Sequence, residues 1–180
     1  MSGAPTIRVL VMALLLAGPA IAAPRAIEML PPQLAGTYDL QNPFARIIRG
    51  QLPAAKVYED AHVLAFMDNH PLVPGHVLVI SKTSHARNLL EIEPRELARM
   101  LAVAQRVTRA EFTALGATGV VMLQNNGSAQ SVFHLHLHVI PRYNGDGDRN
   151  MIPPEGTPLV PIEQLAPVAA KLAAAIRAQR

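Results

Sequence analysis

The sequence contains no cysteine, and that single absence removes several chemistries. A disulfide framework, a thiol nucleophile, an iron–sulfur cluster and a cysteine-built zinc site are all excluded by count. Long apolar runs are missing too. The longest, residues 9–17, is well short of the about 20 residues that a membrane-spanning helix needs. Nor does charge of one sign accumulate. Lys plus Arg number 16 against 13 Asp plus Glu, a net charge of +3 spread over both halves, so nothing concentrates a basic surface for a nucleic acid polymer. What is present is a chain of 180 residues, half of them hydrophobic. That is one domain's worth of sequence, long enough to bury about two-thirds of the unfolded surface without covalent or metal staples.

The N-terminus has a different character from the rest. Arg8, the apolar stretch 9–17, the break at Gly18-Pro19 and the small residues Ala20-Ile21-Ala22 have the layout of a secretory signal, with cleavage expected after Ala22. A buried helix is disfavoured because Gly18-Pro19 would interrupt it and no polar face accompanies it. The mature protein is therefore expected in the periplasm or outside the cell, without a membrane anchor. Residues 23–42, proline-rich and without pattern, read as an irregular arm, and residues 43–180 as the folded domain with a C-terminal tail.

Within that domain, 56–59 and 63–68 read as a β-hairpin and the β-branched run 76–80 as a buried third strand. Apolar residues recur at helical spacing through 94–115, opened by Pro94 and closed by Gly116, which predicts one long helix. Strands are expected at 119–123 and 133–140, and a second, shorter helix at 165–180. The fold class is α+β, an antiparallel sheet of about five strands with two helices.

The chemistry centres on His134, His136 and His138, which alternate with Phe133, Leu135, Leu137 and Val139. In a strand this puts all three imidazoles on one face and the apolar residues on the other. Two chemistries use such an array. Alternate histidines can ligate one metal ion. Alternatively a neutral imidazole attacks phosphorus, forming a labile P–N bond while its neighbours hold phosphate oxygens. No acidic residue lies on the strand to complete a metal site, whereas Asn125, Asn126, Gly127, Gln130 and Ser131 just upstream are neutral hydrogen-bonding groups suited to phosphate. A metal-dependent enzyme using the three histidines and a non-catalytic nucleotide-binding protein remain the alternatives.

The run His134-Leu-His136-Leu-His138-Val-Ile resembles the signature of the histidine triad (HIT) family. The stretch from Phe44 to Pro53, then Val57-Tyr-Glu-Asp60, Val63-Leu-Ala-Phe-Met-Asp68 and Gly75-His-Val-Leu-Val-Ile-Ser-Lys82, is similar to the family's N-terminal half in order and spacing. The resemblance spans about residues 43–143. It implies a nucleotide hydrolase or nucleotidyltransferase, commonly a homodimer, that needs no cofactor. It implies His136 as the nucleophile that takes up a nucleotidyl group from the α-phosphorus. His138 and His76 would contact phosphate or steer protons, and His134 would support them. Asp68 would bind the ribose hydroxyls. Asn125, Gln130 and Ser131 would hold the phosphate and leaving group, and Phe44, Ile47 and Leu78 would line a base pocket. His62, His70 and His85 read as surface or turn residues.

Two departures from the family pattern accompany the match. Gln130 lies three residues beyond Gly127 where many relatives have five, so the phosphate loop is short. Zinc-carrying relatives have two cysteines where this chain has Asn42 and Ala45, although His85 and His134 match that site's other two ligands. The tail from Asn144 carries no motif.

Overall fold

The computed structural model describes residues 30–146 and 158–179. The expected signal, its cleavage site and residues 23–29 of the arm lie outside this range.

The side-chain alternation of β2 (Val63–Met67) sets the plan of the molecule. Val63, Ala65 and Met67 face one apolar cluster and Leu64 and Phe66 face another, so the strand is buried on both sides. β3 (Val77–Ser81) repeats the division, with Val77 and Val79 on the first face and Leu78 and Ile80 on the second. Around these two lie β1 (Lys56–Glu59), β4 (Gly119–Leu123) and β5 (His136–Arg142), giving one antiparallel sheet in the order β1-β2-β3-β5-β4. The hairpin, the third strand and the antiparallel α+β class expected from the sequence are all present.

The first face of the sheet is covered by α2 (Pro94–Leu115) and α3 (Ile162–Ala178), which supply Met100, Val103, Val107, Leu165, Leu172 and Ile176 to the larger core. α2 begins and ends at the residues the punctuation predicts. Pro94 sits in its first turn and Gly116 closes it in the left-handed conformation (φ 68°), donating its N–H to the Glu111 carbonyl. The second face is partly covered by α1 (Pro43–Ile48), a short helix that the sequence reading left out. Its signal was the Asn42-Pro43 pair: the Asn42 side chain accepts the Ala45 N–H at 2.9 Å and Pro43 occupies the first turn.

Two element starts are displaced from expectation by three residues, and the other bounds by two or fewer. The strand predicted over 133–140 begins only at His136, because its partner β3 ends at Ser81. Ile80 pairs with His136, and the next amide along, Leu135, instead donates to the Ala86 carbonyl at 2.8 Å. The C-terminal helix starts at Ile162, three residues before the predicted start, and accommodates Pro167 within it.

Candidate active site

The second face of the sheet is the chemical one. A cavity of about 690 Å³ opens there, lined by Phe44 and Ile47 of α1, Phe66 of β2, Leu78 of β3, His136 and His138 of β5, and Asp68, His76, Asn125 and Ser131 from adjoining loops. Nine of the eleven residues to which the family resemblance assigns a role are thus brought to one cavity. His134 and Gln130 do not line it. His134 is almost fully buried. Gln130 is buried under the short turn Gly127–Ala129, where its carboxamide accepts the Gly127 N–H at 3.1 Å and donates to the Arg87 carbonyl at 2.7 Å. With Gln130 only three positions beyond Gly127, the side chain folds back onto its own turn instead of reaching the cavity.

Which ring nitrogen carries each proton follows from the partners, because carbonyl oxygens can only accept. His136 Nδ1 meets the His134 carbonyl at 2.8 Å, so Nδ1 is the protonated nitrogen, and the lone pair of Nε2 has no partner among the described residues. His134 Nε2 meets the Ser81 carbonyl at 3.1 Å, so its Nδ1 accepts from the Tyr38 hydroxyl at 2.6 Å. The Leu72 amide donates to His76 Nδ1 at 3.3 Å, so His76 Nε2–H donates to His138 Nδ1 at 3.0 Å. That leaves His138 with an Nε2–H, buried and without an acceptor among the described residues. The site therefore presents a lone pair on His136 and an N–H on its neighbour His138, with ring centroids 4.8 Å apart.

Burial holds all four imidazoles neutral. Desolvation pushes His76 and His138 down to about 3 and His134 to about 4, the proximity of His136 adding to each, and it lowers His136 as well. Phe44 contributes by standing edge-on to His136, with centroids 5.1 Å apart. Asp68 closes the turn after β2, its Oδ1 accepting the His70 N–H at 2.8 Å, while Oδ2 lies 3.5 Å from His76 Nδ1.

Among the described residues, ligand-type atoms of Asp68, His76 and His138 lie within 4.8 Å of one another. The three strand histidines do not form such a group, because both nitrogens of His134 are engaged by Tyr38 and Ser81. The zinc site of some relatives does not fit this chain either. Asn42 caps α1 with its side chain, Ala45 offers no donor atom, and His134 has no free nitrogen.

Sequence reasoning missed Tyr38, Phe66 and the tail. Leu159, Ile162 and Leu165 line the far end of the cavity, held there by the Val160 amide, which donates to the Asn69 carbonyl at 2.7 Å. No motif marks them, since their role arises from a contact across some ninety residues of chain.

Comparison with known proteins agrees with this fold. The HIT domain model matches residues 49–145, and the chain belongs to the HIT family. It is 45% identical over 107 residues to Protein hit of Bacillus subtilis, covering 58% of this chain and 73% of that protein. It is 40% identical over 105 residues to the adenylylsulfatase HINT3 of Arabidopsis thaliana, covering 57% of this chain but 53% of that one. A crystal structure of a Hit-like protein from Bartonella henselae superposes with a TM-score of 0.69 at 39% identity, covering 78% of this chain and 99% of the other. A hypothetical histidine triad nucleotide-binding protein of Sulfolobus tokodaii superposes with a TM-score of 0.65 at 33% identity, over 74% and 91% of the two chains.

Proposed function

We propose that the protein is a hydrolase acting on the α-phosphorus of nucleotide derivatives, phosphoramidates or phosphoanhydrides, through a nucleotidyl-histidine at His136. The observation that carries this reading is the pairing of an unpartnered Nε2 lone pair on His136 with an unpartnered Nε2–H on His138 in one cavity. The lone pair attacks phosphorus, a P–N bond forms, and the bond from phosphorus to the leaving group breaks. The positive charge that develops on the ring is stabilised through Nδ1–H by the His134 carbonyl. His138 Nε2–H is available to a phosphate oxygen or to the departing atom. Water then attacks the adduct, releasing the nucleoside monophosphate and restoring the lone pair. Asp68 accepts from the ribose hydroxyls, and the base lies against Phe44, Ile47, Phe66 and Leu78. The named activity of the Arabidopsis relative, an adenylylsulfatase, supports the substrate class.

The reading includes export and pairing. Export rests on the signal-like layout of residues 1–22; a protein recovered from the cell envelope that begins at Ala23 would support it, and an intact Met1 or Ser2 on cytoplasmic protein would overturn it. A homodimer is supported by the exposed Met122 on the edge strand β4 and by Leu101 and Phe112 on α2.

The deciding experiment is a turnover panel of nucleoside phosphoramidates, dinucleoside polyphosphates, nucleotidyl sulfates and sugar nucleotides on the mature protein, with His136→Ala as control. Turnover of at least one class that disappears in the variant is expected. Turnover that survives in His136→Ala, or a rate that is lost to chelator and returns only with metal, would favour the metal-dependent reading, and binding without any turnover the non-catalytic one.

A further inference from the structure

We propose that Tyr38 is a positioning residue for this reaction. Carried by the arm that precedes the matched domain, its hydroxyl holds the His134 ring so that the His134 carbonyl keeps His136 Nδ1–H, and with it the reactive Nε2, in place. The inference rests on His136 being the nucleophile.

The arm is a strap fixed at three points. Arg87 donates to the Leu34 carbonyl from Nη1 at 2.8 Å and to the Ala35 carbonyl from Nη2 at 3.5 Å. The next residue is Gly36, with φ 152°, where a Cβ would stand 2.7 Å from the Arg87 guanidinium. Any other residue would strain the backbone at this positive φ and would push the guanidinium aside. The second point is the turn beside the cavity: Leu34 packs against Gly127, whose absent Cβ would meet Leu34 Cδ2 at 3.1 Å. The third is Tyr38 itself. Its ring stacks on His85, with centroids 4.6 Å apart and planes 13° from parallel, which aims the hydroxyl at His134 Nδ1, 2.6 Å away.

The consequence for the nucleophile is direct. The His134 imidazole is held from one side by Tyr38 and from the other by the Ser81 carbonyl at the end of β3. His134 precedes β5, and the peptide plane that carries its carbonyl is anchored on one side by the Leu135 amide, which donates to the Ala86 carbonyl at 2.8 Å, so the two bonds to its ring act as a second constraint on the same residue. Its own carbonyl is the acceptor that sets the His136 tautomer. Two hydrogen bonds thus join the arm, through His134, to the ring that reacts. Tyr38 lies outside residues 49–145, so the domain as matched lacks this support.

Tyr38→Phe keeps the stacking ring and removes only the hydroxyl. Two readouts are taken on the purified mature protein. The first is kcat and KM with a nucleoside phosphoramidate, and the second is the imidazole ¹⁵N resonances and Nδ1–H exchange of His134 and His136. We expect kcat to fall about three- to tenfold, the effect of one lost neutral hydrogen bond, with KM nearly unchanged. We also expect His136 Nδ1–H to exchange faster. Unchanged kcat with unmoved His136 resonances would overturn the proposal, even if the melting temperature drops, and so would a loss confined to KM. The resonances need no substrate. If the wild-type protein turned over nothing, the nucleophile assignment would fail while these spectra still decided whether Tyr38 positions His136.

Discussion

His136 and His134 are joined from ring to backbone: Nδ1–H of the first donates to the carbonyl of the second at 2.8 Å. Side-chain replacement of His134 cannot remove that acceptor, whereas replacement of His136 removes the reacting atom. A graded series follows. His136→Ala should abolish turnover, His138→Ala should lower it by about 100-fold as the loss of a proton donor, and His134→Ala should be the mildest of the three. Single-turnover rates and mass spectrometry of the nucleotidyl adduct on the His136 peptide check the order. If His136→Ala keeps more than about a tenth of the rate, under about 1.4 kcal/mol of barrier, the nucleophile lies elsewhere.

What could be read in advance from the sequence was set by local rules. The bounds of α2 and β4 follow from Pro94, Gly116 and a short β-branched run, and both elements occupy the expected residues. The triad's shared face follows from alternation alone. The start of β5 did not, because it depends on where β3 ends, a property of the partner strand. Gln130 reads locally as a free amide near the site, yet the Gly127 N–H and the Arg87 carbonyl take up its carboxamide. Tyr38 meets His134 across 96 residues, and no period or spacing in the sequence announces such a contact.

Asp68 has two tasks that one substitution separates. Its Oδ1 closes the turn by accepting the His70 amide, and its carboxylate edge faces the cavity. Asp68→Asn keeps a turn acceptor and removes the charge. Hydrogen bonds to a charged acceptor contribute about 1.5–3 kcal/mol against about 0.5–1.5 for neutral ones. Ribonucleotide substrates should therefore lose about tenfold in kcat/KM, and 2′-deoxy or 3′-deoxy analogues clearly less. Equal losses for both sugars would restrict Asp68 to the turn.

The neutral histidines predict acid lability. His76 and His138 are pushed down to about 3 and His134 to about 4 by burial, whereas in the unfolded chain each titrates at about 6.5. Between these values the unfolded state binds more protons, so unfolding free energy rises with pH. The stability is present in full above about pH 6.5 and is lost as pH falls toward 4. Urea midpoints from pH 7 down to 4.5 should decline steeply, with an uptake of two to three protons on unfolding, about 3 to 4 kcal/mol per pH unit. His76 and His138 share a hydrogen bond and should titrate as a pair. A flat profile over this range would mean that the imidazoles are already charged in the folded protein.

Glu111 predicts the opposite limb. It lies on the buried side of α2, fully shielded from solvent, and neither carboxylate oxygen has a hydrogen-bond partner among the described residues. Desolvation raises it to about 8 from an ordinary value of 4.5. Here the folded state binds the extra proton, so stability is fully present below about pH 4.5 and is lost as pH rises through 8. Combined with the histidines, this confines maximum stability to a narrow range near neutrality. Glu111→Gln replaces the buried acid with a neutral group of the same shape. It should leave stability at pH 5 close to that of the wild type and raise it at pH 8.5 by on the order of a few kcal/mol. Urea denaturation at both pH values measures the difference. If wild type and variant keep the same offset at pH 5 and at pH 8.5, Glu111 does not titrate in this window and the buried side chain is held ionised by the fold.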